Sequence, residues 1–289
     1  MTAIGVLLVA LAPGLFWLWV FSRMDVYRPG PRSLIVSTFL LGGLSVIPAA
    51  VLEAIFLNGV ELDAVGATLA STAVAMLLVV GPVEEVCKFA AVRFHAFHSL
   101  YFDEPLDGMV YGAAASLGFA TLENLGYVLV FGPEVMIVRA PLSTLAHVIF
   151  GGLWGYTLGL HHRSGRKRKR VLVVGIALAA AAHGLFNLTV FVMPWASVAY
   201  VIVGGIWLFT RFKWGQRISP YRMSRNSPQV RCRACGTMTN VGGNQCEYCG
   251  SVLPSGLEAL YCSHCGVRNR IDASFCTGCG DRFLKGRRG

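Results

Sequence analysis

The chain has 289 residues, 55% of them hydrophobic and only 14% charged, with a formal net charge of +10. Soluble proteins carry about a quarter charged residues, so this composition excludes one large soluble core. The positive balance is no argument for nucleic acid, because the basic residues cluster between apolar runs.

Apolar runs long enough to cross a hydrocarbon core of about 30 Å predict membrane spans at 2–22, 33–58, 66–92, 108–131, 140–160, 171–191 and 195–211. The first run precedes the first basic residue, Arg23. A cleavable signal peptide carries its charge before the apolar run, so no leader is expected. With the N-terminus outside, segments 23–32, 93–107, 161–170 and 211–231 hold sixteen Lys and Arg, against Arg139 alone in the outer loops. Basic residues accumulate on the cytoplasmic side, so this orientation is the expected one, in the cell membrane. The run Arg166 to Arg170 then reads as a topology determinant facing anionic lipid, and nucleic acid is not an expected partner.

Ionisable residues interrupt four successive spans. The third carries Glu84, Glu85, Cys87 and Lys88; the fourth carries Phe119, Glu123, Asn124 and Tyr127; the fifth carries His147; the sixth carries His183 and Asn187. A charge at the bilayer centre costs about 3 kcal/mol on insertion scales, so these side chains must face one another or a wet cavity. Glu84 and Lys88, Phe119 and Glu123, Glu123 and Tyr127, and His183 and Asn187 are i,i+4 pairs, each on one helical face. Cys87 reads as a small packing residue. Glu53 and Arg139 read as ordinary boundary residues near the outer interface. Gly and Ala around the polar positions allow close helix approach.

Residues 212–231 are basic, contain Pro and Ser, and read as a cytoplasmic linker. Beyond it Cys232, Cys235, Cys246 and Cys249 repeat 30 residues later as Cys262, Cys265, Cys276 and Cys279, both sets spaced C-x2-C-x10-C-x2-C. Two C-x-x-C knuckles supply four thiolates for a tetrahedral zinc, with no position left open for catalysis. Units this short fold on the metal, so two structural zinc ions are expected, in zinc ribbons at 232–251 and 262–281. His264, inside a knuckle, reads as a bystander. A cytosolic partner for the ribbons is expected, and its identity is not written in the motif.

The motifs Glu84-Glu85-x-x-Lys88, Phe119-x-x-x-Glu123-Asn124, His147 and His183-x-x-x-Asn187, in that order on successive spans, resemble the PrsW family of intramembrane proteases. That family is related to the CAAX-prenyl proteases and bacteriocin-immunity membrane proteins. The resemblance covers residues 30–211 and not the ribbons. It implies a glutamate-type peptidase cutting a membrane-anchored protein such as an anti-sigma factor. No H-E-x-x-H is present and the paired carboxylates already supply a base, so no catalytic metal is expected, with a metal-dependent protease as a minor variant because Glu and His are also zinc ligands. Glu84 would deprotonate water, with Glu85 orienting it or sharing the proton, and His183 and Asn187 would donate to the oxyanion. The prenyl-protease branch has histidine where this chain has Glu123, so Glu123 would hold water while His147 supplies the imidazole. Lys88, Phe119, Asn124 and Tyr127 would support the site.

The expected fold is therefore an all-α polytopic membrane bundle of about seven transmembrane helices over residues 1–211, followed by two small β-rich zinc ribbons. Two other readings compete with the peptidase. One is a proton- or ion-coupled transporter, since Glu and His chains also move ions, although no inverted repeat is evident. The other is a receptor or scaffold that recruits a partner through the ribbons.

Overall fold

The computed structural model describes residues 3–58, 68–164 and 168–219, and in the tail 229–232, 234–236, 238–240, 245–246, 249–253, 260–261, 268–269, 273–277, 280 and 282. It forms two compact units, Met1–Gln216 and Arg217–Gly289. Among the described residues, seven helices are long and apolar enough to cross a membrane, beginning with Ile4–Ser22 and ending with Pro194–Arg217.

In the first unit α1 (Ala3–Ser22) is followed by α2 (Arg32–Leu44) and α3 (Val46–Phe56), which together make one span. The break between them falls at Ser45, whose hydroxyl donates to the Gly42 carbonyl at 2.6 Å. Pro48, just inside α3, offers no N–H to the turn before it. The third span starts with α4 (Leu69–Val74), widens into a π-helical turn at Ala75–Val80, and continues as α5 (Gly81–Phe94). Pro82 stands at the start of α5, so the wide turn absorbs the hydrogen bond that proline cannot make. The start predicted for this span, residue 66, lies outside the described residues.

Helix α6 (Pro105–Phe131) is the axis of the unit. Every residue from Pro105 to Thr121 is buried, as expected of a helix that is apolar on all sides. It begins three residues earlier than its predicted span because Asp107 caps it, accepting from the Glu104 backbone N–H at 2.8 Å. A single turn, α7 (Met136–Val138), and a second π-helical turn at Arg139–Ser143, containing Pro141, lead into α8 (Thr144–Arg163). Then come α9 (Lys169–Val192) and α10 (Pro194–Ile218).

Small residues set the helix spacing. A Cβ on Gly112 would lie 3.1 Å from the Gly151 carbonyl carbon, and one on Gly81 would lie 2.8 Å from the Gly184 backbone nitrogen. α6 therefore meets α8, and α5 meets α9, at backbone distance. These two seams bring the polar faces of α5, α6, α8 and α9 together.

The linker assignment needs correction at its start. α10 runs on to Ile218, into the segment read as linker, because its last turns have partners. Trp214 meets Tyr156 edge-on at 5.9 Å, and the Gln216 amide donates to the Met24 carbonyl at 2.6 Å. The remainder of that segment, 220–228, lies outside the described residues.

In the tail β1 (Gln229–Arg231), β2 (Met238–Asn240), β3 (Leu260–Tyr261) and β4 (Arg268–Asn269) form one antiparallel sheet in the order β2-β1-β3-β4. Val230 faces Thr239, and Gln229 also faces Tyr261, so β1 and β3 join the two modules edge to edge. The 30-residue repeat shows in the bridges, Gln245 to Val252 in the first module and Phe275 to Arg282 in the second. Each ribbon thus starts a few residues before its first cysteine.

Candidate active site

The site grows from α5. Glu84, Glu85 and Lys88 share its inward face, and all three are buried. The Lys88 ammonium donates to Glu84 Oε2, to Glu85 Oε1 and to His147 Nδ1, each at 2.9 Å. Its fourth side lies over the Phe119 ring, 4.0 Å from the centroid, so no solvent remains around the charge. Because Lys88 donates to Nδ1, that atom of His147 must be an acceptor, and the ring proton belongs on Nε2. Glu123 Oε2 lies 3.0 Å from Nε2, the position of an acceptor for that proton.

Glu85 is fully enclosed. Its Oε1 accepts from Lys88 and lies 2.8 Å from His183 Nδ1, while Oε2 accepts from the Trp154 indole at 2.8 Å. Both oxygens are therefore engaged. Glu84 differs. It keeps 6% exposure, its only hydrogen-bond partner among the described residues is Lys88, and its Oε2 stands 3.7 Å from His183 Nε2. That gap is too long for a direct hydrogen bond and suits a bridging water. With Nδ1–H turned toward Glu85, His183 presents Nε2 to this gap. The ring is held flat against Phe150, 4.7 Å between centroids.

Further polar contacts close the network around Glu123. The Arg139 guanidinium pairs with Glu123 at 2.9 Å, lies 3.7 Å from the centre of the Tyr127 ring, and donates from Nε to Asn124 Oδ1 at 2.7 Å. Asn124 in turn donates to the Thr144 hydroxyl at 3.1 Å. Three carboxylates, Glu84, Glu85 and Glu123, thus meet two fixed cations, Lys88 and Arg139. The three carboxylates therefore outnumber the two fixed cations by one.

The structure brings Glu84, Glu85, Lys88, Phe119, Glu123, His147 and His183 into one network, with Asn124 and Tyr127 behind it. Asn187, one turn from His183 and half-buried, makes no hydrogen bond within this network among the described residues. Two members were missed. Trp154 is two turns from His147 on the same face of α8, a spacing that could have flagged it. Arg139 was read as a boundary residue, yet the π-helical turn at Pro141 puts it against Glu123. Glu53 carries a buried Oε1 without a hydrogen bond, which is also unlike a boundary residue. Cys87 is half-buried and free.

Among the described residues, two donor sets could hold a metal. Glu84, His147 and His183 each offer one ligand atom within 4.8 Å of the others, all buried. One carboxylate and two imidazoles are the donor types of a catalytic zinc with an open fourth position. The set fits, but Lys88 already occupies the anionic side of it and would have to withdraw. In the tail, the Sγ atoms of Cys232 and Cys249, and those of Cys235 and Cys246, are 3.7 Å apart. Four thiolates about 2.3 Å from a tetrahedral zinc lie about 3.8 Å from one another, so this geometry matches. The Ser251 hydroxyl, 3.2 Å from Cys232 Sγ and 3.0 Å from Cys249 Sγ, is the main cause that brings the Cys232 thiol down to about 6 and also lowers that of Cys249. Gly236 and Gly250 follow the knuckles with φ of 73° and 71°, a region L side chains rarely adopt. Of the second set, Cys276 is buried, while Cys262, Cys265 and Cys279, with His264, lie outside the described residues.

Comparison with known proteins agrees with the geometry. The profile of a family described as PrsW family intramembrane metalloprotease matches residues 30–210. Protease PrsW of Geobacillus kaustophilus is 34% identical over 177 residues, 61% of this chain and 76% of the relative. The proteins of the same name from Halalkalibacterium halodurans and Bacillus subtilis are each 31% identical, over 63% of this chain and 82% and 81% of their own lengths. No solved structure matches the chain.

Proposed function

The chain belongs to the PrsW family of intramembrane proteases, and from that membership we propose that Glu84 is the general base that activates water for peptide-bond hydrolysis inside this multi-pass membrane protein. The observation that carries the proposal is the inequality of the two glutamates. Glu85 has both oxygens engaged by Lys88, His183 and Trp154. It positions rather than reacts. Glu84 has no hydrogen bond at Oε1 among the described residues, and its Oε2, which accepts from Lys88, faces His183 Nε2 at 3.7 Å, so water there can meet a proton acceptor and an imidazole.

In this reading the water proton goes to Glu84 and the hydroxide attacks the scissile carbonyl. His183, its Nδ1–H committed to Glu85, donates from a protonated Nε2 to the developing oxyanion. Asn187 turns in as the second donor when substrate is bound. Glu84 then passes the captured proton to the departing amine as the C–N bond breaks, while His147, held by Glu123 and Lys88, fixes that side of the site. Lys88 places one positive charge within hydrogen-bond distance of both glutamates.

The substrate is a membrane-anchored protein, with an anti-sigma factor as the specific expectation. The N-terminus faces outward, and the ribbons face the cytoplasm with a structural zinc each. A second reading follows from the family description and the fit of the buried donor set. There Glu84, His147 and His183 would hold a metal, which when bound supplies a water that ionises near neutral pH.

The test uses the full chain reconstituted in lipid with single-span substrates, cleavage being followed by mass spectrometry. Glu84→Gln is expected to lose about 10²- to 10⁴-fold in rate. Glu85→Gln should lose about 10- to 100-fold through a misplaced His183. Wild-type cleavage by Glu84→Gln overturns the assignment. Zinc per chain separates the two readings. Two ions, unchanged by Glu84→Gln, fit the ribbons alone; a third that this substitution removes establishes the metal site.

A further inference from the structure

Away from the polar network, α8, α9 and α10 enclose a groove of about 460 Å³, lined in part by Leu153, Val174, Leu178 and Trp207, with Arg170 and Arg211 at its rim. That is the size of a ligand site rather than of a packing void. It exists because the three helices are unevenly spaced. α9 lies close to α8, where a Cβ on Gly175 would meet the Thr157 side chain 2.6 Å away. α10 is held off by bulk, through the Tyr156–Trp214 ring contact at 5.9 Å. The wedge between them faces outward, and Val174 and Leu178 are exposed.

The two arginines are the unusual part. Arg170 opens α9, and Arg211 comes in the last turns of α10, so antiparallel helices bring both to one end of the groove. No Asp or Glu occurs anywhere from residue 140 to residue 218, so these three helices offer neither guanidinium an acidic partner. Among the described residues, neither arginine forms an ion pair. An apolar slot open to hydrocarbon, ending in two guanidinium groups at the membrane-water boundary, has the charge pattern of one ligand class.

We propose that this groove binds one anionic phospholipid, an acyl chain lying between α9 and α10 and the headgroup phosphate held by Arg170 and Arg211. Guanidinium presents paired N–H donors to phosphate oxygens. The phosphate supplies the anion these helices lack, and a zwitterionic lipid would bring its own cation toward the same arginines. The site is independent of the proteolytic mechanism, since none of its lining residues belongs to the polar network.

The test is a titration of the full-length chain in detergent with phosphatidylglycerol and with phosphatidylcholine, retained lipids being counted by native mass spectrometry. Wild type should hold one phosphatidylglycerol about 30-fold more tightly than the Arg170→Gln, Arg211→Gln double variant, with little change for phosphatidylcholine. Lys169 and its basic neighbours remain in that variant, so its orientation signal is kept. Val174→Trp, which fills the groove and leaves both arginines, should lose the same lipid. Equal phosphatidylglycerol retention by wild type and both variants overturns the site. A photo-crosslinking residue at position 178 should capture lipid in native membranes, and capture of a polypeptide there instead would replace the lipid with a protein segment.

Discussion

Glu85 and Lys88 show how a buried charge network becomes tolerable. Each ionised group has several partners at hydrogen-bond distance, so desolvation is offset by more than one contact. Trp154 is the replaceable member of this set. Trp154→Phe keeps a ring edge-on to Phe89 but removes the only donor to Glu85 Oε2 among the described residues. Leaving that oxygen unpaired should cost about 1–3 kcal/mol of stability. Peptidase activity should fall further than the melting temperature suggests, because Glu85 then loses its hold on His183. Thermal melts and initial rates on the same preparations check this. At the residue scale the sequence showed the polar positions but not their division of labour. Glu84 and Glu85 are adjacent and chemically identical, and only the positions of Trp154 and His183 separate them.

Helix α5 shows what a single proline does to an element. The π-helical turn at Ala75–Val80 adds a residue to one turn directly before Glu84. It rotates everything after it relative to α4. Pro82→Ala restores the missing N–H donor and permits a regular α-helix. Such a helix turns the Glu84–Glu85–Lys88 face away from α8 and α9 unless packing holds it. Activity should therefore drop about tenfold or more while the melting temperature stays level or rises, a split that cleavage assays with parallel melts would reveal. The same device at Pro141 places Arg139. Both prolines are plain in the sequence. The register change they impose is not, because an α-helical periodicity carried through a π-helical turn points every later side chain about 100° wrong.

At the scale of the whole molecule the two units rest on different energetics. The membrane unit is held by glycine-lined seams and one buried network, while the tail carries a four-cysteine group that could hold a metal. Chelation should consequently remove metal from the tail and abolish its sheet, leaving the helical far-ultraviolet signal of the membrane unit nearly unchanged. A zinc count before and after, beside the circular dichroism spectrum, makes the comparison. Collapse of the helical signal on chelation would show that the membrane unit also depends on metal.

Much of this architecture is determined by composition and spacing alone. Seven apolar runs demand seven helices, because an unpaired backbone in lipid costs too much for any other solution. Repeated C-x-x-C pairs point to a tail that a metal could build, because so short a module has little core to fold around. Even the polar cluster was legible as a set of residue types on successive spans, since lipid tolerates such residues only where they converge. The tertiary structure decided the rest. It recruited Arg139 and Trp154, fixed the His147 tautomer through Lys88, set Glu84 apart from Glu85, and joined the two ribbons through β1 and β3. Those outcomes depend on distances between helices and on the turn at each proline, and a one-dimensional pattern carries neither.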